Sequence, residues 1–260
     1  EDAKRIERGR SIFEFAESAP RHAAPHAPET DAAGSMPRHA LADDDELEEI
    51  KELEQSLRPK WMKDIIGRKK EKESLSVIIS AAKQRGEAID HILLHGPPGL
   101  GKTTFAQVIA QEIGAEFFST SGPALERKGD LVSILSNLPD KGIFFIDEVH
   151  RLNKSIEELL YSAMEDRKID IIIGKGPSAR TLKLELNNFT VIGATTRVGM
   201  LSSPFRDRFG VDLYLDFYSY EELKELILQK AKILSVKITA DAAMEVAKRS
   251  RRTPRIAIRI

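Results

Sequence analysis

Apolar residues in this chain fall into short unbroken runs set between longer charged stretches with helical spacing, and that alternation predicts an α/β fold. Residues 91–95, 142–146 and 190–194 are runs dominated by Ile, Leu, Phe and Val. Each predicts a strand covered on both faces, as in a parallel sheet. Residues 116–118 form a shorter strand candidate, between the first two along the chain. Helical spacing marks residues 104–113, 219–234 and 240–249, and an apolar helical pattern runs through 255–260. Residues 169–173 and 181–186 flank Gly174-Lys175-Gly176-Pro177-Ser178, which predicts a hairpin inserted before the 190–194 strand. Its Ile and Leu side chains exceed what one small sheet face needs. An exposed docking surface is therefore expected, with a hairpin packed on its own domain as the alternative. Upstream, Leu47, Ile50, Leu53 and Leu57 fall at helical spacing and predict an acidic lead-in helix over 43–57. Residues 20–40 are rich in Ala, Pro and His without any period, and read as linker within a 1–42 extension.

The junction between the 91–95 strand and the following helix reads Gly96-Pro97-Pro98-Gly99-Leu100-Gly101-Lys102-Thr103, which fits G-x-x-x-x-G-K-[ST]. Glycines let the backbone wrap a phosphate chain with its N–H groups pointing inward. Lys102 can reach the outer phosphates, and the Thr103 hydroxyl can ligate Mg²⁺. The 142–146 strand ends in Asp147-Glu148. Asp147 at the strand tip can hold the metal shell, and Glu148 can activate a water against a γ-phosphate. The 190–194 strand ends in Thr195-Thr196-Arg197, and polar residues at the carboxyl end of a parallel strand stand where such sheets bind ligands. Either Thr195 or Thr196 can orient the attacking water. Residues 203–209 carry Arg206 and Arg208 in a segment that Pro204 is expected to keep from forming a helix. Thr253-Pro254-Arg255 reads as a helix start whose arginine opposes the helix dipole, which points to an anionic ligand.

These segments together resemble the RuvB family, AAA+ motors of bacterial Holliday-junction branch migration. The resemblance is carried by residues 93–104, by Phe145-Ile146-Asp147-Glu148-Val149-His150-Arg151-Leu152, by Tyr161-Ser162-Ala163-Met164-Glu165-Asp166, by Gly174-Lys175-Gly176-Pro177-Ser178-Ala179-Arg180, and by Gly193-Ala194-Thr195-Thr196-Arg197 with residues 203–210. It implies an AAA+ P-loop core over 58–217 and a partial helical lid over 218–260, with ATP and Mg²⁺ bound between them. By the resemblance, Leu57 and Arg58 contact the adenine side, and Gly99, Lys102, Thr103 and Thr104 form the phosphate and metal loop. Asp147 and Glu148 are the Walker B pair. Thr196 or Thr195 is sensor 1, and Arg208 is the arginine finger, with Arg206 as runner-up. Glu165, Asp166 and Arg167 match a segment near nucleotide, while Tyr218 and Arg255 match lid contacts, Arg255 as sensor 2. The resemblance also implies a homohexameric ring, Holliday-junction or duplex DNA as the track, and a RuvA-like partner at the 169–186 hairpin. Two departures stand out. Family members often have Gly-Gln where this chain has Gly67-Arg68, and a Gly where it has Arg252. If that second position needs φ > 0, an arginine is expected to distort the approach to Arg255.

Composition narrows the alternatives. With no cysteine, disulfides and thiol catalysis are excluded. No apolar run approaches the length of a membrane span and no signal peptide opens the chain, so a cytoplasmic place is expected. His22, His26 and His39 lack metal-ligand spacing. The net charge of −1 leaves no whole-chain basic footprint for DNA, although residues 248–259 are locally basic. RuvB proteins continue through a DNA-gripping winged-helix domain, so the chain is expected to be a fragment with most of its DNA grip elsewhere. A clamp-loader-type ATPase and a nucleotide scaffold without turnover remain the alternative readings.

Overall fold

The computed structural model describes residues 56–173 and 180–260. The expected linker, all but the last two residues of the expected 43–57 helix, and the turn at 174–178 lie outside the described residues.

Five parallel strands form the central sheet: β1 (Ile92–His95), β2 (Phe117–Ser121), β3 (Gly142–Asp147), β6 (Phe189–Thr195) and β7 (Val211–Tyr214), in the spatial order β2-β3-β6-β1-β7. The unbroken apolar runs are explained by burial on both faces. Ile92, Leu94, Ile143, Phe145, Ile192 and Ala194 enter one core, with α1 (Lys69–Arg85) and α2 (Lys102–Ile113). Leu93, Phe144, Ile146 and Val191 point the other way, into a second core with α3 (Lys128–Ser136) and α4 (Lys154–Asp166). Successive side chains in a strand face opposite sides, so every second residue of one run serves a different core.

The 116–118 strand candidate does form, as β2, but at the outer edge of the sheet. The strand standing between β1 and β3 is β6, paired Leu94↔Ala194 on one side and Phe145↔Ile192 on the other. Sequence order alone did not reveal this because the chain crosses from β1 to the far edge and fills in backwards. The sequence reading also passed over α1, α3 and α4. The first has so many charges that only Leu75, Ile79 and Ala82 mark its buried stripe. Residues 203–209 correct another expectation: α5 (Ser203–Asp207) is helical, because Pro204 sits in the first turn, where its missing N–H has no helical partner to lose.

Between α4 and β6 stands the hairpin of β4 (Lys168–Ile173) and β5 (Arg180–Glu185), antiparallel, with Ile169 opposite Leu184 and Ile171 opposite Leu182. Its root belongs to its own domain: Ile169 is buried, and Ile171 and Leu186 pack on the second core. Leu182, nearer the tip, is 52% exposed. The expectation of a hairpin packed on its own domain thus holds at its root.

After β7 the lid follows as α6 (Tyr220–Ile233), α7 (Ala240–Arg249) and α8 (Pro254–Arg259). Ser219 caps α6 through its hydroxyl while Glu222 returns a bond to the Ser219 N–H. Leu223, Ile227, Ala243, Ala247 and Ala257 close a third small core, which also takes Leu100 from the phosphate loop. No described helix is long and apolar enough to cross a membrane.

His91 precedes β1 and is buried. Its Nδ1 accepts the Val191 N–H at 2.9 Å, and its Nε2 lies 3.4 Å from the Met164 carbonyl. Burial first, and the nearby Arg167 second, push its pKa down to about 4. A depressed folded pKa means stability is complete above the unfolded value near 6.5 and is lost as pH falls toward 4. Between pH 7 and pH 5 this group should remove about 2 kcal/mol of folding stability. Urea unfolding at both pH values should show a steeper loss for the native chain than for His91→Asn, whose amide oxygen can accept the same N–H. Equal pH dependence in the two would refute the assignment.

Candidate functional site

The site is organised where β1 ends. Gly96 donates its N–H to the Thr195 carbonyl at 3.3 Å, and Leu215 donates to His95 at 2.8 Å, so the loop leaves the sheet between β6 and β7. A Cβ at Gly96 would overlap the Leu215 carbonyl oxygen, and φ here is 138°. Gly101, left-handed at φ 86°, turns the loop into α2 and aims that helix's free N–H groups into the bend. Lys102 is only 8% exposed, and its ammonium donates to the Gly96 and Pro97 carbonyls at 2.9 and 2.8 Å. Burial lowers its pKa. Asp147 opposes that shift, and the Arg255 and Arg68 guanidinium groups add to it. Cations therefore outnumber the anions around this loop, which favours a polyanionic ligand.

Asp147 ends β3 with Oδ1 accepting the Glu148 N–H at 2.9 Å and Oδ2 3.5 Å from the Thr103 hydroxyl. Two hard oxygens at this spacing form a donor set suited to Mg²⁺. Glu148 follows in a left-handed conformation (φ 48°), and its Oε2 accepts from Arg151 Nη1 at 2.9 Å. β6 brings the threonines alongside. Thr195 is buried, with Oγ1 2.9 Å from His150 Nδ1 and accepting the Arg197 N–H at 2.9 Å. Thr196 is exposed and lines the cavity. The two candidates for one role are thus divided: one is engaged with His150, the other faces the ligand space.

That cavity, about 650 Å³, lies between core and lid, within the range of small-ligand sites. Gly99, Lys102, Thr103 and Thr104 form its floor, and Asp147, Glu148 and Thr196 one side. Leu57 and Arg58 from the core and Tyr218 and Arg255 from the lid line the rest. Arg255 reaches it because its N–H bonds the Gly99 carbonyl at 3.4 Å and its Cβ packs against Gly99. The position of Arg252 does require positive φ (58°), and the arginine adopts it without displacing Arg255 from the cavity.

Arg208, Glu165, Asp166 and Arg167 do not line this cavity. Arg208 leads into the amino end of β7, across the sheet from the loops at the carboxyl ends. There it pairs with Glu165 at 2.7 Å and donates to the Tyr161 hydroxyl at 2.6 Å. Arg167 caps α4, donates to the Phe189 carbonyl at 2.7 Å and stacks 4.5 Å from that ring. Within this chain its guanidinium braces the base of β6. The sequence reading also missed Lys230, which lines the cavity from α6. Lys230 is buried, and burial lowers its pKa while Asp64 opposes. Within α6 a lysine reads as solvent-facing, and no local pattern marks it otherwise.

A P-loop at the helix end of a parallel sheet, an Asp-Glu strand one position removed and a helical lid define an AAA+-type P-loop ATPase module. The chain belongs to the RuvB family: residues 57–215 match the family model for the Holliday junction DNA helicase RuvB P-loop domain, and residues 218–260 match that for the RuvB AAA lid domain. It is 56% identical over 209 residues to the Holliday junction branch migration complex subunit RuvB of Clostridium kluyveri, covering 80% of this chain and 60% of that protein. Among solved structures, the Thermotoga maritima RuvB Holliday junction branch migration motor superposes with a TM-score of 0.72 at 51% identity, covering 79% of this chain and 64% of that one. A mutant of that protein gives the same TM-score at 52% identity, covering 78% and 63%. The chain thus spans about three fifths of the length of these relatives.

Gly96→Ala should place a methyl group against the Leu215 carbonyl and destabilise the fold by about 2 kcal/mol or more. Thermal unfolding followed by circular dichroism checks this; an unchanged midpoint would show that the loop can move away from β7.

Proposed function

We propose that this chain is the ATP-hydrolysing part of a ring-shaped motor that drives branch migration of Holliday junctions. The observation that carries the reading is the split of polar groups across the sheet. Lys102, Thr103, Asp147, Thr196 and Arg255 converge on one cavity, while Arg208 stands at the opposite edge. An arginine that cannot serve its own cavity suits one that serves a neighbour's.

In this reading ATP lies with its phosphates over the α2 N-terminus and its base toward Leu57, Arg58 and Tyr218. Lys102 exchanges two carbonyl partners for phosphate oxygens. Thr103 and Asp147 hold Mg²⁺, which when bound supplies a Lewis acid at the outer phosphates. Glu148, once parted from Arg151, takes a proton from the attacking water, and Thr196 orients that water. Arg255 carries the phosphate charge to the lid. Arg208, with Glu165 and Asp166 beside it, faces the nucleotide of the next subunit and stabilises charge developing in the transition state. Hydrolysis then requires a ring, which we take to be a homohexamer. Lid motion against the core moves the DNA. The outer part of the 169–186 hairpin, where Leu182 is exposed, suits an apolar contact with a RuvA-like partner. Membership of the family supports each of these assignments, and a cytoplasmic place belongs with them.

ATPase rate per subunit should climb with protein concentration. It should fall about 100-fold or more in Glu148→Gln and roughly 1,000-fold in Arg208→Ala. Both variants should still bind nucleotide. A rate per subunit that does not depend on concentration and survives Arg208→Ala would rule out a finger acting between subunits.

A further inference from the structure

The connection from β7 to the lid, residues 215–219, carries Tyr218 into the cavity, and two arginines grip it from opposite sides. From the core, Arg68 lies just before α1 and is 8% exposed. Its Nη2 donates to the Asp216 carbonyl at 2.6 Å, and its guanidinium lies 4.5 Å from the centre of the Tyr218 ring. Its Nη1 is 3.7 Å from Glu71. From the lid, Arg252 Nε donates to the Tyr218 carbonyl at 2.8 Å, and its guanidinium lies 5.8 Å from the Phe217 ring. The Tyr218 N–H in turn donates to the Arg252 carbonyl at 3.2 Å. Every polar backbone group of Tyr218 is thus held by Arg252, and the ring of the same residue by Arg68.

The arrangement carries strain. Arg68, Arg251 and Arg252 all have left-handed backbones (φ 56°, 52° and 58°), which residues with a side chain rarely adopt. Arg68 Nε is buried and has no hydrogen-bond partner among the described residues. A Cβ on Gly67 would overlap the Glu222 carboxylate, so the chain before Arg68 is wedged against the first turn of α6. Strain of this kind persists where the surroundings over-determine a geometry, and such places cluster at ligand clamps and hinges. Tyr218 lines the cavity and Arg68 does not, so the guanidinium backs the ring and leaves its ligand side open.

We propose that Arg68 and Arg252 are positioning residues that together fix the hinge and the Tyr218 ring, setting the lid over the phosphate loop before nucleotide arrives. The proposal rests on the nucleotide reading above. Holding the hinge in advance removes an ordering cost that the ligand would otherwise meet, and so tightens binding. A planar, stacked guanidinium is needed at Arg68, and a lysine cannot replace it although it keeps the charge.

The test is fluorescence titration of the full chain with N-methylanthraniloyl-ATP and Mg²⁺, comparing the native protein with Arg68→Gln, Arg68→Lys, Arg252→Gly and the Gln/Gly double variant. Hydrogen exchange at the Tyr218 amide is followed in the ligand-free proteins. Arg252→Gly relieves the backbone strain and should fold. Each single substitution should raise Kd about fivefold or more. Arg68→Lys should behave like Arg68→Gln, and Tyr218 exchange should quicken. The double variant should lose less than the product of the single losses, because both side chains act on one hinge. Folded variants with Kd within about twofold of native would overturn the proposal. So would native affinity in Arg68→Lys, since charge alone would then explain Arg68. No binding by the native chain would overturn the nucleotide reading and this proposal together, whereas tight native binding insensitive to all four changes overturns this proposal alone.

Discussion

At Gly96 the chain leaves β1 with backbone on both sides: the Thr195 carbonyl takes its N–H, and the Leu215 carbonyl fills the space where a side chain would stand. This squeeze places the phosphate loop between the tip of β6 and the start of the hinge. One neighbour brings Thr196 and, one strand further, Asp147 and Glu148. The other brings Tyr218 and, through the lid, Arg255. A wider residue at Gly96 would separate the loop from the hinge and uncouple the core chemistry from lid position.

Electrostatics then decide what the loop holds. Lys102 is buried, its ammonium satisfied by carbonyl dipoles alone, and Arg255 and Arg68 add positive charge that Asp147 offsets only in part. Such a site is poorly balanced by itself and well balanced by a polyphosphate with a divalent cation. Parallel topology sets the other constraint. All five strands run the same way, so side chains after the strands gather at one edge, and those before them, such as Arg208, at the other. A subunit built this way presents a cavity on one side and a cation on the far side, the arrangement that the proposed head-to-tail contact between subunits draws on.

Much of this was legible in residues 91–104 and 142–148. Their chemistry is local: a loop, a strand and a helix start are each encoded within a dozen residues, and the resemblance to the family rests on the same segments. Tyr218 and Arg255, also anticipated, share that origin. What was hidden depends on distant partners. The helix at 203–207 was obscured by a proline whose position in the first turn matters more than its presence. Arg167 reads as a charge near an active segment, yet it braces Phe189, twenty-two residues on.

The sequence by itself determined the phosphate loop, the Asp-Glu strand end, the lid helices and the family, because each follows from residue type at short spacing. Only the tertiary structure decided that β6 separates β1 from β3, that Thr196 rather than Thr195 faces the cavity, and that Lys230 turns inward. It alone brought Arg68 and Arg252, 184 positions apart along the chain, onto one hinge. Those outcomes depend on which surfaces meet when the sheet is assembled and the lid closes over it, and no local pattern records which face of an element will find a partner.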